Sequence, residues 1–129
     1  LGFPTANFDE SAVLGLPPTF KNGVYFGYAK VDRGVIFPMV MSCGFNPQFE
    51  NTVKSLEVHI LHEFESDFYG QQLSALVLGY IRPMRVFKST SELIRAIEDD
   101  ISYAMDKLTR EKDQYSAVLR KFPRFCTNS

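Results

Sequence analysis

Leu73-Ser74-Ala75-Leu76-Val77-Leu78-Gly79-Tyr80-Ile81-Arg82 is apolar on both sides of a two-residue period. In an extended strand Leu73, Ala75, Val77 and Ile81 fall on one face, and Leu76, Leu78 and Tyr80 on the other. A strand buried on both faces needs a sheet curled on itself or a helix laid over its outer side. Upstream, Val24–Val31 is rich in β-branched and aromatic residues, Asp32-Arg33-Gly34 supplies a turn, and Val35–Ser42 returns as the second arm of a hairpin. Ser55–Phe64 reads as a third strand, with Leu56, Val58 and Ile60 on one face and Glu57, His59 and Leu61 on the other; Leu73–Arg82 is the fourth. The connections at residues 44–54, broken by Asn46-Pro47, and 65–72 carry glycine, proline and polar residues, which makes them candidate mobile lids.

Downstream the period changes. Ser89-Thr90-Ser91-Glu92 has capping-box spacing, and Leu93, Ile94, Ile97, Ile101, Ala104, Met105 and Leu108 recur at helical intervals. An amphipathic helix packed on a β-body is therefore expected, with Tyr115–Leu119 prolonging it or forming a second short helix before Pro123. The expectation is one mainly-β domain over residues 1–129, with a barrel-like body to about residue 88 and a helical segment at about 89–120.

The 129 residues suit a single core, and 45% hydrophobic with 22% charged residues is a globular composition. A net charge of -1 argues against a duplex-DNA binder with a basic surface, so no nucleic-acid partner is expected. No apolar run reaches the ~20 residues of a bilayer span, so no membrane partner is expected either. Cys43 and Cys126 lie far apart outside any ligand-type cluster, which points to a reducing, cytoplasmic setting. The aromatic content is unusual, with 12 Phe and 6 Tyr but no Trp.

Several segments could carry chemistry. His59-Ile60-Leu61-His62-Glu63 looks like a metal cluster, but positions i and i+3 of a strand point to opposite faces, so a two-histidine site is rejected. On that strand Glu57 is either a solvated surface acid or a base. In Phe3-Pro4-Thr5-Ala6-Asn7, the oxygens of Thr5 and Asn7 project to the same side of an extended chain. They could hold a hydrated magnesium ion, or form a turn that satisfies backbone donors. Asp67-Phe68-Tyr69-Gly70 is either an anchored turn or a ring-stacking wall, and Arg82, Arg85 and Phe87 place two cations and an aromatic just before the helix. No P-loop or dinucleotide fingerprint is present, so a bound nucleotide would need another scaffold.

These pieces occur in a recognisable order. Leu1-Gly2-Phe3-Pro4-Thr5-Ala6-Asn7, Gly23-Val24-Tyr25-Phe26-Gly27, Asn46-Pro47-Gln48-Phe49, Lys54-Ser55-Leu56-Glu57-Val58-His59-Ile60, Asp67-Phe68-Tyr69-Gly70 and Gly79-Tyr80-Ile81-Arg82-Pro83 precede the Ser89 helix. Over roughly residues 1–108 the chain resembles riboflavin kinases of the eukaryotic, monofunctional type. The resemblance implies a six-stranded antiparallel, Greek-key-like β-barrel with a C-terminal helix, the chain beginning inside the first motif. It implies ATP-dependent phosphorylation of the riboflavin ribityl 5'-hydroxyl to give FMN and ADP, with Mg²⁺ (or Zn²⁺ or Mn²⁺); separately, a monomer is expected. By position, Glu57 would be the catalytic base, and Thr5 and Asn7 the metal and ATP-phosphate ligands. Ile60, His62 and Tyr69 would border ATP, while Arg82, Arg85 and Phe87 would line the flavin. Relative to the family pattern, Met84 stands where an acid is frequent, Arg85 where Lys is common and Phe45 where Trp is usual. The competing reading is a non-catalytic small barrel that carries a flavin or another apolar ligand, which would need neither the base nor the cation pair.

Overall fold

The computed structural model describes residues 5–8, 13, 15–17, 19–31, 35–45, 54–62 and 73–120. Five strands, β1 (Thr5–Asn7), β2 (Gly23–Val31), β3 (Ile36–Phe45), β4 (Lys54–Ile60) and β5 (Leu73–Arg82), precede two helices, α1 (Thr90–Arg110) and α2 (Lys112–Leu119). The sheet is antiparallel with order β1-β4-β3-β2-β5. Strands β2, β3 and β4 form a meander and β5 returns beside β2, which is the Greek-key arrangement. Among the described residues β1 and β5 remain the two edges, so the expected six-stranded barrel takes the form of an open five-stranded sheet.

The expected hairpin is present, with Lys30 opposite Ile36, while its turn lies outside the described residues. β3 runs past Ser42 to Phe45 because Cys43, Gly44 and Phe45 find partners in Leu56, Ser55 and Lys54. The proposed lid at 44–54 thus gives its ends to the ladder; residues 46–53 and the second lid, at 65–72, lie outside the described residues. β4 ends at Ile60, before the expected Phe64. Leu61 N–H still donates to Pro38 O at 2.9 Å, but His62 N–H turns back to Ile60 O at 2.8 Å, which takes the chain off the ladder.

Strict alternation along β5 fails at two places. Phe26 opposes Gly79 while Gly27 opposes Val77, leaving Leu78 as an extra residue, and Ile81 is likewise skipped between Tyr80 and Arg82. Each bulge flips the face that follows. Tyr80 therefore joins Ala75 and Val77 on the inner side, whereas Leu78 and Ile81 both turn outward. Gly79 is required here, because a Cβ would lie 2.4 Å from the Phe26 ring.

The inner face buries Tyr25, Met39, Met41, Val58, Ile60 and Leu73, with Val13, Leu16 and Phe20 packed against it. The outer face buries Val24, Phe26 and Val40 beneath Ala104, Leu108 and Tyr115 of the helices. Both faces are covered, as the apolar pattern of Leu73–Arg82 requires. Ser89 caps α1, its Oγ accepting from Glu92 N–H at 3.1 Å, and the C-terminal segment forms a separate short helix. The buried stripe of α1 is Ala96, Asp100, Ala104 and Leu108; Leu93, Ile94 and Met105, expected on the apolar stripe, are partly exposed. No described helix is long and apolar enough to cross a membrane.

Candidate active site

Antiparallel register places chemistry-bearing residues in rows, since directly opposed residues share a face. Asn7 opposes Glu57, Glu57 opposes Ser42, Ser42 opposes Val24, and Val24 opposes Arg82. One row thus crosses all five strands on the outer face. The next row runs Thr5, His59, Val40 and Phe26. Residues widely separated in sequence are brought onto one surface by pairing alone.

A cleft of about 250 Å³ opens on this surface. Its floor includes Val24, Val40, Ser42, Glu57 and His59; Arg82, Met84, Arg85 and Phe87 form one side. Leu93, Ile97, Asp100 and Ile101 of α1 form the roof. The partial exposure of Leu93 follows from this position: the N-terminal half of α1 stands over the cleft instead of pressing on the sheet.

Within the cleft, His59 Nε2 lies 3.2 Å from Glu57 Oε1. An ionised carboxylate can only accept, so Nε2–H is the donor. This bond holds the Glu57 carboxyl below the ordinary carboxylate range, partly opposed by burial, so the group stays ionised near neutrality. Arg82 is held by a two-pronged pair: Nε–H donates to Asp100 Oδ1 at 2.9 Å and Nη2–H to Oδ2 at 2.8 Å. Its Nη1–H donates to Pro83 O at 3.2 Å. The Arg82 and Arg85 guanidinium carbons sit 5.7 and 4.9 Å from the Phe87 ring centroid, so both cations gather on one aromatic.

A family model for riboflavin kinase matches residues 1–108. The chain belongs to the riboflavin kinase family. It is 47% identical to riboflavin kinase of Homo sapiens over 108 residues, covering 84% of this chain and 70% of that protein. It is 46% identical to riboflavin kinase of Mus musculus with the same coverage. The crystal structure of riboflavin kinase from Trypanosoma brucei superposes with a TM-score of 0.69 at 34% identity, covering 90% of this chain and 75% of that one. The eukaryotic type read from the motifs agrees with these relatives.

Of the family positions, the structure brings Glu57, Arg82, Arg85 and Phe87 around one cleft and sets Thr5 and Asn7 on the same sheet face beside it. Ile60 is placed elsewhere: its side chain is fully buried in the inner core, on the face opposite Glu57. His62 lies just beyond β4, its ring stacked on Phe37 with centroids 4.3 Å apart. Tyr69 lies outside the described residues. Sequence reading missed Asp100, which is 4% exposed and anchors Arg82. Its signal was the four-residue spacing of Ala96, Asp100, Ala104 and Leu108, which puts an acid on the buried stripe. Ser42 was missed because it reads as the end of an ordinary strand.

Proposed function

We infer that this protein transfers the terminal phosphoryl group of ATP to the ribityl 5'-hydroxyl of riboflavin, giving FMN and ADP. The observation that supports the reading is the outer-face row Asn7, Glu57, Ser42, Val24, Arg82, in which Glu57 has Asn7 beside it and Arg82 at the far end, with Thr5 in the neighbouring row. An apolar-ligand carrier needs neither the ionised Glu57 nor the oxygen pair, and that alternative is not favoured.

The chemistry follows from the positions. The ribityl hydroxyl is a poor nucleophile at neutral pH, and phosphoryl transfer depends mostly on in-line alignment and on stabilising charge on the phosphoryl oxygens. Glu57, held ionised by His59, orients the hydroxyl and takes its proton as the new O–P bond forms and the bond to the ADP oxygen breaks. Arg82, Arg85 and Phe87 hold the flavin ring system. Thr5 and Asn7 offer a hydroxyl and an amide oxygen from alternate residues of β1, both exposed on the Glu57 side. Two neutral oxygens suit Mg²⁺, which takes few protein ligands and completes its shell with water and phosphate oxygens. Zinc prefers nitrogen and sulfur donors, and the described residues hold no cluster of three or more His, Cys, Asp or Glu. Bound there, the metal would neutralise charge on the ATP phosphates. His62 and Tyr69 would border the nucleotide, and Ile60 would do so through its backbone, since its side chain faces the core.

Incubation with riboflavin, ATP and Mg²⁺ should yield FMN and ADP in equal amounts by mass detection, and no FMN without the metal. Thr5→Ala should fold normally and lose magnesium-dependent turnover. FMN formation by Thr5→Ala with unchanged metal dependence would remove Thr5 as a ligand.

A further inference from the structure

We propose that Asp100, on the roof helix α1, is a positioning residue that sets riboflavin affinity by fixing the plane of the Arg82 guanidinium. The inference rests on the reading that Arg82 lines the flavin side. Asp100 is an acid on the buried stripe of an otherwise apolar helix face, its side chain only 5% exposed. Both of its carboxylate oxygens accept from Arg82, at 2.9 and 2.8 Å, from Nε and Nη2 respectively. This is fork-to-fork geometry, in which two parallel bonds fix orientation as well as distance. With Nη1 bonded to Pro83 O, each guanidinium nitrogen of Arg82 has a protein acceptor, and the group lies against Phe87.

The arrangement has a chemical consequence. Charge on Arg82 is balanced by Asp100, so what Arg82 presents to the cleft is a planar, polarised face with few remaining donors. Such a face suits an uncharged, planar heteroaromatic ring better than an anionic group. A carboxylate at this helix position also ties α1 to the end of β5, so the roof and the wall of the cleft are set by one pair. Pairs of this kind contribute little net stability when buried, because desolvation offsets attraction, so specificity is the more economical account of its presence.

The test is a mutant cycle in the full chain, read as separate KM values for riboflavin and ATP and as kcat. Asp100→Asn removes the charge and one acceptor, and should raise the riboflavin KM about tenfold while the ATP KM and kcat change less than about twofold. Asp100→Glu keeps the ion pair but displaces its carboxylate by one methylene, and should raise the riboflavin KM about threefold. In an Arg82→Gln background neither substitution should have a further effect on the riboflavin KM. An Asp100→Asn effect of the same size in that background, or an equal rise in both KM values, overturns the proposal. If Asp100→Asn does not fold, Asp100→Glu decides alone, and an unchanged riboflavin KM overturns it. If Arg82→Gln by itself leaves the riboflavin KM unchanged, the flavin-side reading of Arg82 is what fails.

Discussion

Along β4, neighbouring residues meet opposite environments. Val58 and Ile60 are wholly excluded from solvent on the inner face, while the side chain of Glu57, one position away, is 40% exposed on the outer face. The inner face is filled from both sides by aliphatic, methionine and aromatic side chains. The outer face is filled only where Ala104, Leu108 and Tyr115 press on Phe26 and Val40, and opens into a cleft where α1 carries Leu93, Ile97 and Asp100. The inner face of the sheet is thus packed throughout, while the outer face is part core and part open cleft. Because strand alternation separates the two faces, substitutions on β4 and its partners should divide into those that lower turnover without loss of stability and those that lower stability without altering turnover of the folded protein.

The largest effect is expected at Glu57. Glu57→Gln keeps the shape but removes the carboxylate proposed as the base, so kcat should fall about 10²–10⁴-fold while riboflavin affinity and thermal stability stay near those of the parent. Turnover within about twofold of the parent would rule out Glu57 as the base. The opposite result is expected from Met39→Ala. Met39 is fully buried opposite Ile60, so its truncation should cost about 2–5 kcal/mol in denaturant unfolding. At a temperature where the variant remains folded, its kcat should stay within about twofold. A large loss of turnover there would mean that the two faces are coupled through β4. A smaller effect is expected at the start of the roof: Ser89→Ala removes the cap on Glu92 N–H and should cost about 1 kcal/mol, a few degrees of melting temperature.

The division between faces was largely legible in the sequence. The alternation of Leu56, Val58 and Ile60 against Glu57 and His59 is the alternation observed, and the capping box at Ser89 marks the true start of α1. The less legible parts depend on pairing. Bulges at Leu78 and Ile81 exist only relative to β2, so a two-residue period applied to β5 alone puts Ile81 and Tyr80 on the wrong sides. The extension of β3 to Phe45 needs the partners in β4, which a glycine and a following Asn-Pro disguise. Asp100 was hidden by its type, because an aspartate in a helix reads as solvent-facing unless its partner, eighteen positions away, is known. For the site, motif resemblance named Glu57, Arg82, Arg85 and Phe87; strand pairing explains why Glu57 and Arg82 share one cleft.

The smallest effect separates the faces by pH. The Glu57 carboxyl is held below its ordinary range chiefly by the His59 hydrogen bond, against the opposing effect of burial. A depressed carboxyl titrates later on acidification, so the acid limb of kcat should lie below the ordinary carboxylate range. The same sign applies to folding: the stabilisation from this bond is present above the unfolded-state value and is lost as pH falls through the lower folded-state value. His59→Ala removes the donor and leaves burial, which acts in the other direction, so the acid limb should move toward higher pH. With Glu57 partly exposed, the accompanying change in unfolding free energy should be slight at neutral pH. Met39→Ala, which alters only the inner face, should leave the limb in place. A limb that moves equally in both variants would show that the Glu57 carboxyl responds to general loosening of the sheet and not to its neighbour two positions along β4.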